Sequence, residues 1–186
     1  MEIGGRAFGT FMKKNLLITG LPGVGKTTLI QSLAEELRTF HPVGFYTAEM
    51  REGGQRQGFE LISLDGRKKV LSHAGIKSPF RVGRYGVDVK GFEDFMETLP
   101  FFDPESKLII IDEIGKMECL SPKFRGLLRE LLDSERRVVA TIALKGTGLI
   151  EEVKGRKDVK IFELSERNRD RLLPEILKEI NETSLH

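Results

Sequence analysis

Residues Gly20-Leu21-Pro22-Gly23-Val24-Gly25-Lys26-Thr27-Thr28 form a glycine-rich run closed by lysine and threonine. This is the GxxxxGK[ST] spacing of a Walker A loop. Such glycines let the backbone wrap around phosphate oxygens, with successive N–H groups pointing inward as an anion nest. A helix starting at the end of the run adds free N–H groups and the positive end of its dipole. The pattern predicts nucleotide contacts along Gly20 to Thr28, with Lys26 reaching the β- and γ-phosphates and the Thr27 hydroxyl on Mg²⁺. A glycine-rich connector without a ligand is the bland alternative. A second chemical pair, Asp112-Glu113, directly follows the apolar run Leu108-Ile109-Ile110-Ile111. An aspartate in that position holds Mg²⁺, usually through water, so Thr27 and Asp112 are the expected metal residues. Glu113 is the candidate general base for an attacking water, and Lys26 and Glu113 are the expected catalytic residues. Alone, an apolar run ending in Asp-Glu could equally be a strand-end cap; its occurrence downstream of the glycine loop favours chemistry.

The elements that must position these groups follow from hydrophobic pattern. Leu16 to Thr19 reads as a buried strand ending at Gly20, and Leu29, Ile30, Leu33, Ala34 and Leu37 give a helix over about Lys26–Arg38. Val43–Ala48 predicts a second strand. Residues 52 to 88 change texture: they are glycine-rich, and Phe59–Leu64 and Lys68–Leu71 flank the turn pair Asp65-Gly66. They predict an inserted antiparallel β unit. A short helix around Phe92–Leu99 is closed by Pro100. Leu108–Ile111 fits a central parallel strand covered on both faces. Ser121-Pro122 opens a helix as N-cap and first-turn proline. Val138–Leu144 is the candidate strand between the two motif strands, from which Thr141 could sense the γ-phosphate. Val159–Leu164 predicts a last strand, and Ser165 the cap of a closing helix to Ile180 with a kink at Pro174. Strands alternating with helices predict an α/β, three-layer fold with a mostly parallel sheet.

The chain has 186 residues, 39% hydrophobic and 31% charged, with a formal net charge of +2. That balance disfavours a dedicated nucleic-acid binder. The one cysteine, Cys119, allows no intramolecular disulfide, which suits the cytoplasm. No apolar stretch approaches the ~20 residues that span a bilayer. The expected organisation is a flexible leader over residues 1–13, within which Met12 could be the natural start, and a single domain over 14–186. A monomer is expected.

Beyond the loop, Gly44-Phe45-Tyr46-Thr47-Ala48-Glu49-Met50-Arg51, Gly58-Phe59, Arg81-Val82-Gly83-Arg84-Tyr85-Gly86-Val87-Asp88 and Ile111-Asp112-Glu113-Ile114-Gly115-Lys116-Met117-Glu118 carry a further signal. With Arg156-Lys157-Asp158-Val159-Lys160 and Asn168-Arg169, the chain from about 14 to 180 resembles the cancer-related nucleoside-triphosphatases, small P-loop enzymes. The resemblance implies a compact P-loop NTPase fold and Mg²⁺-dependent hydrolysis of several nucleoside triphosphates with little base discrimination. It also implies a nucleotide site made of the stretches Gly20–Thr27 and Leu108–Gly115, that is Leu108, Ile109, Ile110, Ile111, Asp112, Glu113, Ile114 and Gly115. Met50, where an aliphatic β-branched residue is expected, departs from the pattern without touching the chemistry.

Other residues have two readings. Glu49 and Arg51 could position water or phosphate, or pair with each other or with surface charges. Arg81 and Arg84 could supply an arginine finger or a solvated basic loop. Lys116 and Glu118 could form a salt bridge beside the site. Asn168 and Arg169 could contact base or ribose, or lie on a helix surface. His41 and His73 lack partners at metal-ligand spacing, and Cys119 is expected to pack as a small apolar residue. Two rivals to a hydrolase remain: a small-molecule or nucleotide kinase with residues 52–88 as an arginine-bearing lid, and a nucleotide-operated, RNA-associated switch. The second lacks the Asn-Lys-x-Asp base reader of guanine-specific switches.

Overall fold

The computed structural model describes residues 13–183. The expected leader therefore lies outside the described residues except for Lys13. Among the described residues nine strands form one sheet: β1 (Asn15–Thr19), β2 (Val43–Glu52), β3 (Gln55–Ser63), β4 (Lys68–His73), β5 (Arg81–Val82), β6 (Tyr85–Val87), β7 (Leu108–Ile114), β8 (Arg137–Ile142) and β9 (Val159–Glu163). Among the same residues the α-helices are α1 (Lys26–Glu36), α2 (Val89–Glu97), α3 (Pro122–Asp133), α4 (Leu149–Lys154) and α5 (Arg169–Thr183). The spatial order is β5-β6-β4-β3-β2-β7-β8-β1-β9. The strands β2, β7, β8, β1 and β9 run parallel. Beyond β2 the unit β3–β6 continues the same sheet in antiparallel pairing. As expected, β8 separates the strand before the glycine loop from the strand bearing Asp112.

Alternation along the parallel strands builds the three layers, because successive side chains of a strand point to opposite faces. Leu16, Ile18, Leu108, Ile110 and Val139 pack with α1 and α5 through Leu29, Ile30, Leu33, Leu172 and Ile176. Leu17, Ile109, Ile111, Val138 and Ala140 pack on the opposite face with α2, α3 and α4 through Phe92, Phe124, Leu128 and Ile150. Both faces are covered, which is why these strands read as continuous apolar runs.

Local signals set several boundaries. The Ser121 hydroxyl accepts the Phe124 N–H at 3.0 Å and caps α3, with Pro122 in the first turn, as predicted. Such a cap contributes about 1 kcal/mol. The closing helix starts later than Ser165. The Asn168 side chain accepts the Ser165 N–H at 2.8 Å and donates to the Glu163 carbonyl at 2.8 Å, which locks residues 165–168 in a turn before α5 begins at Arg169. Pro174 lies inside α5. The second strand extends past Ala48 to Glu52, because β3 pairs with it along its whole outer half. No expectation covered α4. Its six residues are too few to show a helical period, yet Leu149, Ile150 and Val153 are buried. No described helix is long and apolar enough to cross a membrane.

Candidate active site

Strand β1 stops at Thr19, whose hydroxyl donates to the Ile142 carbonyl of β8 at 3.1 Å. The glycine loop then turns over the carboxyl edge of the sheet, the edge where open α/β sheets bind ligands. Gly20 has φ +154°, and a Cβ there would stand 2.5 Å from the Leu164 carbonyl oxygen, so the loop seats against the end of β9 only without a side chain. Val24 is buried and anchors the loop, while Leu21 stands 65% exposed. The Lys26 ammonium folds back across the loop, donating to the carbonyls of Gly20 at 3.1 Å and Leu21 at 3.3 Å.

The two motifs meet directly. The Thr27 hydroxyl donates to Asp112 Oδ2 at 2.8 Å, although 85 positions separate them. The Thr47 N–H and hydroxyl lie 3.4 and 3.3 Å from the same oxygen, and the Thr141 hydroxyl donates to Oδ1. Asp112 is 1% exposed, so its charge is compensated by this ring of donors from α1, β2 and β8. A hydroxyl and a carboxylate in contact are the hard oxygen donors Mg²⁺ takes, with water and substrate phosphate completing its shell. Among the described residues no cluster of three or more His, Cys, Asp or Glu could hold a metal by itself. The Thr27 hydroxyl and the Asp112 carboxylate fit part of a Mg²⁺ oxygen shell.

Glu113 follows Asp112 across a cis peptide bond. Burial raises its carboxyl above the usual glutamate range, opposed by the positive charge of Lys26 and reinforced by Asp112. Behind it lies Glu118, 4% exposed. Burial first, and then the Glu113 charge, push Glu118 to about 8. A Cβ on Gly115 would stand 2.8 Å from Glu113 Oε1 and 2.8 Å from Glu118 Oε2, so glycine is what lets the two carboxyls approach.

The other candidates are now placed. Leu108, Ile109, Ile110, Ile111 and Ile114 are buried core side chains that carry Asp112 and Glu113 to the edge. Glu49 is paired with Arg51 at 2.6 Å and Arg56 at 2.8 Å, the pairing alternative. The Arg56 guanidinium, then Arg51, holds the Glu49 carboxyl below the usual range. Arg81 donates to the Arg84 carbonyl at 2.7 Å, and Arg84 donates to the Arg56 carbonyl and lies over the Tyr85 ring. Both guanidiniums hold the β5–β6 hairpin to itself and to β3. The possible Lys116–Glu118 bridge does not form: Glu118 is buried and Lys116 is exposed. His73 accepts the Gly75 N–H at 3.0 Å in a turn, and His41 closes a short 3₁₀ turn. Cys119 packs against the core. Asn168 serves the turn, whereas Arg169 stands beside the loop, its Nε 3.8 Å from where a Cβ on Gly25 would be. Sequence reasoning missed Thr47 as a partner of Asp112. Its only signal was its place within the Gly44–Arg51 stretch.

The chain is also similar to known proteins. The NTPase family model matches residues 15–177. The chain belongs to the NTPase family. It is 52% identical over 163 residues to "Nucleoside-triphosphatase THEP1" of Thermotoga sp. (strain RQ2), covering 87% of this chain and 92% of that protein. It is 40% identical to the Homo sapiens "Cancer-related nucleoside-triphosphatase", covering 89% and 96% of the two chains. The crystal structure of THEP1 from Aquifex aeolicus superposes with a TM-score of 0.78 at 38% identity, over 89% of this chain and 98% of that one. The resemblance stated from the motifs and the P-loop NTPase fold are thereby both established for this member of the family.

Proposed function

We propose that this chain is an enzyme that hydrolyses nucleoside triphosphates to diphosphate and phosphate, with Mg²⁺ and with broad base tolerance. The observation that carries the reading is the 2.8 Å contact between Thr27 and Asp112, which joins the phosphate loop to the Asp112-Glu113 pair. The names of the relatives, nucleoside-triphosphatases, support the activity.

The loop N–H groups from Gly20 to Thr28 bind the phosphate chain, and Lys26 exchanges its two loop carbonyls for phosphate oxygens. Thr27 and Asp112 would hold Mg²⁺, which supplies charge neutralisation to the β- and γ-phosphates. Glu113 borders a cavity shared with Gly20 and Lys26. From there it orients a water and accepts its proton as the oxygen bonds to the γ-phosphorus and the bond to the β-phosphate oxygen breaks. The raised Glu113 carboxyl suits a base, since basicity rises with pKa.

Phosphate contacts ignore the base, which explains broad tolerance. Arg169, beside Gly25 of the loop and with no side-chain ion pair or hydrogen bond among the described residues, is the candidate for contact with the base. A guanidinium stacks on any base face. Arg169→Ala is therefore expected to raise KM for ATP, GTP, CTP and UTP together, by roughly tenfold. Inhibition by inorganic triphosphate, which has no base, should be unchanged. Unaltered nucleotide KM values, or an equal loss for inorganic triphosphate, would remove Arg169 from base contact.

The deciding experiment follows phosphate release from each of the four nucleotides with Mg²⁺ and again with excess EDTA. Release from all four at comparable rates, stopped by EDTA, is the expected result. Nucleotide binding without release would overturn hydrolysis. Release from one nucleotide alone would overturn base tolerance.

A further inference from the structure

The reading above places the γ-phosphate between Lys26 and Asp112, and the inference here rests on that placement. Beside Glu113, walled on one side by Gly20, Leu21, Pro22 and Lys26 of the loop, lies a cavity of about 480 Å³. An attacking water needs about 30 Å³, a small part of this space even beside the γ-phosphate expected at Lys26. A second cavity of about 590 Å³ adjoins it and shares Lys116 and Lys145 as walls.

The lining is of two kinds. Leu21, Val82, Met117 and Leu144 make an apolar side. Leu21 is the most exposed large apolar side chain among the described residues at 65%, and it is part of this wall. Lys116 and Lys145 are exposed, and neither makes an ion pair or hydrogen bond among the described residues. By contrast, Lys123, Lys154 and Lys160 each hold a carboxylate. Glu118, the other acidic lining residue besides Glu113, is held toward its neutral form by burial and by Glu113. Two free cations beside an apolar wall match a ligand with a doubly charged end and an apolar body, since lysine binds phosphate as a point charge.

We propose that the part of this cavity beyond Lys26, between Lys116 and Lys145, is a second ligand site, for an organic phosphate monoester. Lys116 and Lys145 hold the phosphate, and the organic body lies along Leu21, Val82, Met117 and Leu144. A ligand there sits where the attacking water approaches Glu113, so its occupancy governs access to the γ-phosphorus.

Phenyl phosphate is the probe, titrated calorimetrically into the full chain with and without saturating ADP and Mg²⁺. Inorganic phosphate is titrated in parallel. The ADP titration by itself tests the nucleotide reading: failure of ADP to bind sinks that reading whatever the probe does. The expected result is that phenyl phosphate binds the ADP-loaded protein more tightly than inorganic phosphate. The Lys116→Ala/Lys145→Ala double variant, its fold checked by circular dichroism, should bind the probe about tenfold more weakly or worse. Arginine at both positions should restore binding. No phenyl phosphate binding by the unaltered chain, or equal affinity in the double alanine variant, would overturn the site. Equal affinity for phenyl and inorganic phosphate would overturn the apolar half of the assignment.

Discussion

Glu113→Gln is expected to lower kcat by about 10²–10⁴-fold while leaving Mg²⁺-nucleotide binding in place. The amide has nearly the shape of the carboxyl, so the approach across Gly115 to Glu118 is preserved. What the amide cannot do is accept a proton. Glu113 borders the cavity beside Lys26, where the γ-phosphate is expected, and its carboxyl is raised by burial. A base of that kind takes the proton of water as the oxygen attacks. Removing one negative charge from the site also reduces repulsion toward phosphate, so affinity should hold or improve. Phosphate release under single-turnover conditions and nucleotide titration of the same preparation separate the two effects. Full activity would eliminate Glu113 as the base. Lost binding would mean that the residue holds the loop.

Lys26→Ala should abolish measurable turnover, a loss of at least 10²–10³-fold on the scale of a deleted transition-state donor, and should weaken nucleotide binding as well. The ammonium spans the loop through the Gly20 and Leu21 carbonyls. That holds its charge at the loop, from which it is expected to move onto the oxygens that gain charge during transfer. The alternative explanation, that the variant unfolds, is separable. The side chain is half-buried; its bond to the Leu21 carbonyl is exposed and its bond to the carbonyl of buried Gly20 is part-buried. Stability should change by no more than about 1 to 2 kcal/mol. A thermal melt close to that of the unaltered chain, with activity gone, is the expected pair of results. Retained turnover would show that another cation serves the γ-phosphate, with Lys116 and Lys145 on the same cavity the first to test.

Much of the site was legible from residue order. Gly20 to Thr28 encodes its own shape, because glycine spacing and a following helix create a phosphate nest through backbone conformation alone. Leu108 to Ile111 announces a strand covered on both faces, and such a strand delivers its next residues, Asp112 and Glu113, to the carboxyl edge. The place of β8 between the motif strands was expected as well. These features are local, or follow from a period of two along a strand.

Features that depend on which distant segments pack together were not legible. Thr47 and Thr141 reach Asp112 only because β2 and β8 flank β7. Neither threonine has a sequence pattern that names its acceptor. Arg81 and Arg84 read equally well as catalytic or solvated until the hairpin showed their guanidiniums on backbone carbonyls. Lys116 and Glu118, two positions apart, suggested a pair; the turn after β7 instead sends one outward and buries the other against Glu113. The motifs of this chain determined by themselves that a glycine loop over Gly20–Thr28 leads into a helix and that a carboxylate pair follows an apolar strand, since backbone geometry and strand alternation are short-range. Only the tertiary structure decided the ring of donors on Asp112, the buried Glu118 and the lysine-lined cavity, because burial and through-space charge arise from contacts between segments far apart in the chain.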